Sequence, residues 1–443
     1  MLTIRSKFLL ILVCLIESIM LLFAQVVNNV WLIVPCLLCF LITIAWAALH
    51  GWAIPVLLFF LPFAAVLKIN PGAISFYTIA LLIVMMTYIV RGYKRISIIH
   101  LIPAMCLIAL TLIVKTAYGY SLDNTYILFV VSLMLMPFLQ REIGEKYDFY
   151  WLTVFFSVGI IVAAFSARGL IIFPTITRYY IRTHQIISGG VRYAGFYGDP
   201  NFFSAHICAV LGGILVMLTN RPARHRAIVL VALMSMLVYC GFMSVSKSFF
   251  VILVALFLCW IVALLFAREK MTAKVAILLT TMVGVVFLLM TTAFTDMVGM
   301  MLARLTGNQS LSALTTGRTD LWLQYLRAFD QDTLLLFFGK GLSDVLVNER
   351  ASHNTIIQII FQFGLVGGVM MAAWLICYAR NLMSGVKVRM SQLTQLGILL
   401  IGAIGPWMAL DLLFFDEFFL MPIYVCLGAT FLTQHDEARA LQM

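Results

Sequence analysis

Residues 7–24, KFLLILVCLIESIMLLFA, and residues 30–49, VWLIVPCLLCFLITIAWAAL, are two apolar runs joined by a short linker. A helix of ~20 residues crosses the ~30 Å hydrocarbon core of a bilayer, where only internal hydrogen bonds satisfy its backbone. Both runs are long enough to span a membrane. Arg5 and Lys7 precede the first run as in a signal peptide, but no small-residue cleavage site follows, so a retained first helix is expected.

Similar runs recur along the whole chain, which has 443 residues and is 63% hydrophobic and only 11% charged. A soluble chain of this composition has too little polar surface to cover its apolar residues. The sequence predicts an all-α fold, a polytopic transmembrane helix bundle of about 14 spans (roughly 12–14) that forms one membrane domain over residues 1–443. The expected spans are 7–24, 30–49, 51–68, 74–91, 98–116, 123–139, 149–168, 201–219, 226–243, 248–266, 273–293, 352–379, 392–409 and 413–433.

Short basic loops predict the orientation, because Lys and Arg near helix ends are retained in the cytoplasm. With alternating spans the basic clusters fall on one side, which places both termini in the cytoplasm. These clusters are Arg5 and Lys7; Arg91, Lys94 and Arg95; Arg141 and Lys146; Arg221, Arg224 and Arg226; Arg268, Lys270 and Lys274; and Arg380, Lys387 and Arg389. The two longest connections, 169–200 and 294–351, are then extracytoplasmic loops. The net charge of +11 largely reflects this signal, so no nucleic-acid partner is expected.

The loop before the eighth span carries cations on the side where the orientation rule does not expect them. It has four arginines, Arg168, Arg178, Arg182 and Arg192, and only one carboxylate, Asp199. Several guanidinium groups suit a phosphate or diphosphate, which arginine binds with two parallel hydrogen bonds. Contact with lipid headgroups is the alternative explanation.

Two short motifs follow in the sequence. Residues 192–201, RYAGFYGDPN, predict a helix that starts at Pro200 with Asp199 as its N-cap, and His206 further along is expected to be packed or hydrogen-bonded. Residues 244–248, SVSKS, predict a polar turn on the same side of the membrane. Lys247 in this turn either extends to the interface or adds a cation to a pocket shared with Arg192.

The loop 294–351 leads into the most informative motif, SHNT at residues 352–355. Within the loop, Leu321, Trp322, Tyr325, Leu326 and Phe329 recur at helical spacing, which predicts a helix on the membrane surface or folded over the bundle. Arg318 then lies at the start of that helix, a position suited to anions. Ser352 is the expected N-cap of the next span, and the helix dipole disfavours a protonated His353 in its first turn, which keeps the imidazole available as a base.

These stretches together resemble the O-antigen ligase and Wzy polymerase superfamily, which are membrane glycosyltransferases that act on lipid-linked oligosaccharides outside the cytoplasmic membrane. The resemblance covers roughly residues 190–370. Its motifs, in order, are RxxGxxxDPN, the SxS turn, GRTDLW at 317–322, the Gly339-Lys340-Gly341 turn, and His353-Asn354 followed by FGLVG at 363–367. The family commonly has Arg where this chain has Lys247, which keeps the charge but lacks the planar fork.

The resemblance implies a glycan donor on undecaprenyl diphosphate, a glycan acceptor, surrounding membrane lipids and a possible chain-length regulator as partners, with no metal or other cofactor. Arg318 and His353 are the expected catalytic residues, because an arginine stabilises the leaving diphosphate and a histidine serves the acceptor hydroxyl. The expected substrate-binding residues are Arg192, Lys247, Arg182, Asp199 and Asn354.

The expected function is therefore polymerisation of lipid-linked repeat units into a surface polysaccharide, in the inner membrane of a bacterium. A ligase that moves finished glycan to a lipid A core or another acceptor needs the same donor site and is the first alternative. A transporter or flippase for a lipid-linked glycan also suits about 14 spans. Transporters place ionisable groups near the membrane midplane, whereas Glu17 is the single acid expected deep in an early span.

Overall fold

The computed structural model describes residues 4–91, 101–122, 124–135, 148–185, 191–220, 222–266, 278–279, 292–306, 317–343, 345–382, 392–410 and 415–440. About 81% of the structure is helical. The fold is that of an all-α membrane protein. Seven of the described helices are long and apolar enough to cross a membrane, and five further apolar helices are shorter.

The helices of the first half of the chain follow the predicted apolar runs. They are α1 (Ile4–Val27), α2 (Val30–Leu49), α3 (Ala53–Phe60), α4 (Phe76–Arg91), α5 (Ile102–Ala117), α6 (Asn124–Leu135), α7 (Phe149–Gly169) and the short α8 (Pro174–Thr177). A small antiparallel hairpin follows, with β1 (Thr183–Gln185) paired to β2 (Val191–Tyr193).

The second half contains both long spans and short surface helices. They are α9 (Pro200–Thr219), α10 (Arg224–Met243), α11 (Lys247–Phe266), α12 (Thr292–Thr306), α13 (Arg318–Gln331), α14 (Thr333–Phe338), α15 (Thr355–Leu382), α16 (Leu393–Ile404) and α17 (Phe415–Ala440). The predicted span 273–293 lies almost entirely outside the described residues.

Helix α9 forms the centre of the bundle. In its most apolar window 94% of residues are buried, against 33% in α2. Glycines let α9 approach α16 closely, because a Cβ at Gly212 would lie 3.0 Å from the Ile398 carbonyl oxygen and one at Gly402 only 2.6 Å from that of Cys208. Small residues at such contacts are typical of helix packing in membranes, where close van der Waals contact drives association.

An ion pair and a hydrogen bond between two side-chain amides lie at the end of the bundle opposite the candidate site. Arg226 at the start of α10 lies 3.3 Å from Asp148 at the start of α7. Asn220 at the end of α9 donates to the side-chain oxygen of Gln395 at the start of α16, at 2.7 Å. These contacts place the 148, 220–226 and 395 segments at one end of an antiparallel bundle.

Two predicted spans differ clearly from the observed helices, and a third, 392–409, is helical only to Ile404 and continues as the 3-10 segment Gly405–Ala409. The span 51–68 was predicted too long, because α3 ends at Phe60 and continues only as the 3-10 turn Leu61–Phe63. Every residue from Ala53 to Phe63 is buried, so α3 and the 3-10 turn that follows it pack inside the protein. The span 352–379 is interrupted, because Gly364 adopts φ 67° and ψ 178° inside α15.

The backbone carbonyl groups exposed by the interruption of α15 are hydrogen-bonded by another segment of the chain, residues 340–341. The amides of Lys340 and Gly341 donate to the carbonyl oxygens of Phe361 and Gln362 at 2.9 and 2.8 Å. A Cβ at Gly364 would lie 2.2 Å from the Phe337 carbonyl oxygen, so only glycine permits this contact. The segment after α14 therefore replaces helical hydrogen bonds that α15 loses at Gly364.

Candidate functional site

The first half of the candidate site is formed where β2, the start of α9 and the turn between α10 and α11 meet. Arg192 donates from Nε to the carbonyl oxygen of Ser244 at 3.0 Å. Ser246 donates from its hydroxyl to the side-chain oxygen of Asn201 at 2.8 Å. The structure thus brings together the RYAGFYGDPN and SVSKS motifs, which are separated by more than 40 positions in the sequence.

The SVSKS turn is held in a strained conformation. Val245 has φ 44° and is 1% exposed, and a positive φ is a true outlier for a β-branched residue. Ser244 and Ser246 on either side are completely buried. Strain of this kind persists only where surrounding contacts enforce it, and it is frequent at functional sites.

The predicted cap of α9 is confirmed. The Asp199 carboxylate accepts a hydrogen bond from the Asn201 amide at 2.6 Å, and Pro200 is the first helical residue. Arg182 is exposed, and its Cδ lies 3.8 Å from where a Cβ on Gly198 would stand. Arg182 and Asp199 therefore flank one glycine turn at the start of α9.

Lys247 is the first residue of α11 and is half-buried directly after Ser246. Arg168, at the end of α7, donates to the Tyr239 hydroxyl at 3.0 Å and stacks on the Tyr193 ring. Tyr193 follows Arg192 in β2, so Arg168 supports the strand that carries Arg192.

His206 is buried and hydrogen-bonded to the Tyr197 hydroxyl, which confirms the prediction that this histidine is packed or hydrogen-bonded.

The second half of the site is a small helical cap formed by α13, α14 and the first turns of α15. Leu321, Tyr325 and Phe329 are buried on one face of α13, where they pack with Leu335 and Phe361. Leu326 is 53% exposed. Of the two alternatives for this amphipathic helix, the structure thus favours packing against protein, since the apolar face is covered by α14 and α15.

Two side chains of α13 attach this cap to the SHNT motif. Trp322 donates from its indole nitrogen to the Ser352 carbonyl oxygen at 2.9 Å, and Tyr325 donates to the Arg350 carbonyl oxygen at 2.7 Å. Arg318 is the first residue of α13, after Gly317 at φ 79°. Residues four apart share a helix face, so Arg318 lies on the same face as Trp322, which contacts the residue before His353.

The predicted N-cap of α15 is wrong by two residues. Asn354 caps the helix, because its side-chain oxygen accepts from the amides of Ile356 and Ile357 at 3.0 and 3.3 Å. Ser352 instead donates to the Asn354 carbonyl oxygen at 2.8 Å. His353 therefore precedes the cap and lies outside the first turn, where the helix dipole acts on it less directly.

The backbone at His353 is also strained. This residue has φ 50°, in the left-handed region that costs a non-glycine residue about 1–2 kcal/mol. Ser352, Asn354 and Thr355 around it are 0–4% exposed, whereas His353 is half-buried. The motif thus fixes three polar residues inside the protein and leaves the imidazole partly accessible.

Contacts through Leu410 connect the two halves. Thr355 at the start of α15 donates to the Leu410 carbonyl oxygen at 2.6 Å. Leu410 is 2% exposed and packs with Ala205 of α9, one helical turn beyond Asn201. The starts of α9 and α15, and with them the Arg192 and His353 motifs, therefore lie at the same end of the bundle.

Five of the half-buried or exposed residues at this end are cationic or can become so, namely Arg182, Arg192, Lys247, Arg318 and His353. Two carboxylates, the half-buried Asp199 and the exposed Asp320 in the first turn of α13, lie among them. The neutral polar residues Ser244, Ser246, Ser352 and Thr355 are buried and hold the backbone. In the loop that leads to β1, burial raises the pKa of the Tyr180 phenol, which is neutral at pH 7 even at its ordinary value. The excess of cations favours binding of an anion at the end of the bundle that also carries the half-buried His353.

Sequence reasoning missed the residues that connect the motifs. Leu410 and Trp322 carry no chemical signature in the sequence, although Trp322 belonged to the predicted stripe. The sequence also predicts three carboxylates close to the last outer turn, Asp411, Asp416 and Glu417, which would bind sugar hydroxyls or pair with the arginines. Residue 411 and the side chains of 416 and 417 lie outside the described residues.

The chain matches no family model, no curated protein and no solved structure.

Proposed function

We propose that this chain is a membrane glycosyltransferase that polymerises lipid-linked oligosaccharide repeat units into a surface polysaccharide. The observation that carries the proposal is the Thr355–Leu410–Ala205 connection, which brings the arginine-rich half and the histidine half to one end of the bundle. A diphosphate-linked donor requires cations at its leaving group, and its acceptor hydroxyl requires a base or an orienting group.

In this proposal the donor is a glycan on undecaprenyl diphosphate. Arg192, Lys247 and Arg318 neutralise the charge that develops on the leaving diphosphate, and Arg182 contributes from the exposed rim. Because a diphosphate is already a good leaving group, the protein mainly neutralises charge and orients the acceptor sugar. His353 accepts the proton of the acceptor hydroxyl as its oxygen attacks the anomeric carbon, and the diphosphate departs with inversion.

The proposed topology has about 14 spans in the bacterial inner membrane, with both termini in the cytoplasm and the site on the extracytoplasmic side. It is supported by the position of Arg224 and Arg226, which lie at the end of the bundle opposite the site together with Asp148. Retention of basic residues in the cytoplasm then places the Arg192 and His353 motifs outside.

A transporter or flippase is the second candidate, and the break in α15 at Gly364 favours it, because transporters bind substrates at discontinuous helices. In those proteins the free backbone groups face a substrate cavity. Here the carbonyl oxygens of Phe361 and Gln362 accept hydrogen bonds from Lys340 and Gly341. Because these carbonyl oxygens are already hydrogen-bonded within the protein, they favour a fixed cap over an open substrate path. A fixed cap in turn favours a transferase over a transporter.

A complementation experiment tests the proposal and separates it from a ligase. His353→Ala and Arg318→Ala are expressed beside the parent in a strain that lacks its own copy, with Arg327→Ala, an exposed arginine of the same helix, as the matched control. We expect a ladder of glycan lengths from the parent and control, and single repeat units from the two site variants at equal protein levels. Accumulated full-length lipid-linked glycan in the site variants would indicate a ligase. Unchanged ladders would refute the site.

A further inference from the structure

Lys115 is a buried cation that the proposed chemistry does not use. It lies in the last turn of α5 and is 2% exposed. Its ammonium group donates to the Leu342 carbonyl oxygen at 2.9 Å and lies 5.3 Å from the centre of the Tyr126 ring. Burying an ammonium group is costly unless it is hydrogen-bonded, so the position of this side chain depends strongly on Leu342.

The segment 339–343 that receives this hydrogen bond is fitted closely against α5. A Cβ on Gly341, which has φ 70°, would lie 2.9 Å from the Lys115 backbone nitrogen and 3.0 Å from the Thr111 carbonyl oxygen. Leu342 has φ 56°, an unfavourable value for leucine. Contacts on both sides are therefore needed to keep this backbone in place.

The other side of segment 339–343 is bound to the interrupted helix α15. Gln362 accepts from the Ser343 amide and donates to the Ser343 carbonyl oxygen, both at 2.9 Å. Phe361, the preceding residue, packs edge-on against Tyr325 of α13 with ring centres 5.0 Å apart. A continuous series of contacts thus leads from Lys115 through segment 339–343 to the helix that carries Arg318.

We propose that Lys115 is a positioning residue, which holds segment 339–343 between α5 and α15 and thereby fixes Arg318 and His353 relative to the bundle. This inference rests on the proposed function for its catalytic consequence. Its structural part is independent, because the contact between Lys115 and Leu342 connects α5 to segment 339–343, which is itself bound to α15, whatever the substrate is.

The first test compares hydrogen exchange in the purified full-length parent and in Lys115→Met, which keeps the length of the side chain and removes the charge and its donors. Lys7→Met is the matched control, because Lys7 makes its ring contacts with Trp52 and Trp151 near Asp148, at the opposite end of the bundle. We expect about tenfold faster exchange in peptides that cover 339–343 of Lys115→Met alone, with α9 unchanged. Exchange equal to the parent, or equally faster in α9, would overturn the proposal.

The second test measures glycan transfer by the same three proteins. Lys115→Met is expected to lower kcat about tenfold with the KM for the lipid-linked donor within about twofold, because the cations of the other half still bind the donor. Unchanged kcat in a protein with faster exchange would overturn the positioning role. A parent without any transfer would refute the proposed function and with it this catalytic role, while the exchange result still decides whether Lys115 holds the segment.

Discussion

The two halves of the candidate site are built in different ways. The Arg192 half consists of short turns at the ends of long helices. It is held by single hydrogen bonds, from Arg192 to the Ser244 carbonyl oxygen and from Ser246 to the Asn201 side chain. The His353 half is a cap of short helices, held by aromatic packing around Tyr325 and by backbone hydrogen bonds into the broken helix α15.

This difference indicates how each half responds to change. In the Arg192 half, the functional side chain is itself part of the structure, because Arg192 donates to Ser244. In the cap, glycine positions and aromatic residues carry the structure, and Arg318 and His353 are presented from it. Structural damage is therefore expected from glycine changes in the cap, and functional damage from conservative changes at Arg192.

The largest effect is expected from Gly364→Ala. Gly364 has φ 67° and ψ 178°, a region that is almost exclusive to glycine, and an added Cβ would meet the Phe337 carbonyl oxygen. We expect a loss of ~3 kcal/mol or more in stability, seen as a lower Tm or loss of folded protein from membranes. The control is Gly368→Ala on the same helix, where the nearest atom is 3.7 Å from the new Cβ and stability is expected to hold. Equal Tm values for both variants would contradict the observed break.

An intermediate effect is expected from Arg192→Lys, which keeps the charge but removes the Nε donor to Ser244. A hydrogen bond from a charged group contributes ~1.5–3 kcal/mol, so glycan transfer should fall about tenfold or more. Arg182→Lys is the comparison, because Arg182 is exposed, and a change below about threefold is expected. Equal losses in both variants would show that anchoring of Arg192 is unimportant.

The smallest effect is expected from Trp322→Phe. The substitution keeps an aromatic ring but leaves the Ser352 carbonyl oxygen without the indole donor. We expect a loss of ~1 kcal/mol in stability and about fivefold lower transfer, measured by thermal unfolding and by initial rates. Trp31→Phe, at a residue that is 86% exposed, should leave both unchanged. A silent Trp322 variant would mean that this contact does not position the SHNT motif.

Much of the helical architecture could be predicted, because span lengths and caps depend on local sequence. The apolar runs predicted α2, α7 and α9 to α11 to within two residues at each end and α1 to within three, and Asp199 was recognised as a cap. The interruption at Gly364 was not predicted, since it depends on a distant segment, 339–341, that supplies hydrogen bonds to the broken helix.

The site could be predicted only as separate motifs. The positions of Arg192, Lys247, Arg318 and His353 followed from charge placement and motif order. Their connections did not, because they run through backbone atoms, such as the carbonyl oxygens of Ser244, Ser352 and Leu410, that every sequence contains. Ser352 was assigned the wrong role because serine and asparagine are equally good N-caps, and in the structure Ser352 is instead hydrogen-bonded locally to the Asn354 carbonyl oxygen and the Gln358 side chain.

The most direct test of the account is glycan transfer by the purified protein in lipid, with undecaprenyl-diphosphate-linked repeat units as the sole glycan. The parent is expected to form longer lipid-linked chains with inverted anomeric configuration. His353→Asn, which tolerates the left-handed backbone but lacks the imidazole, is expected to fold normally and form none. Absence of transfer by the folded parent, or equal transfer by His353→Asn, would contradict the proposed enzyme.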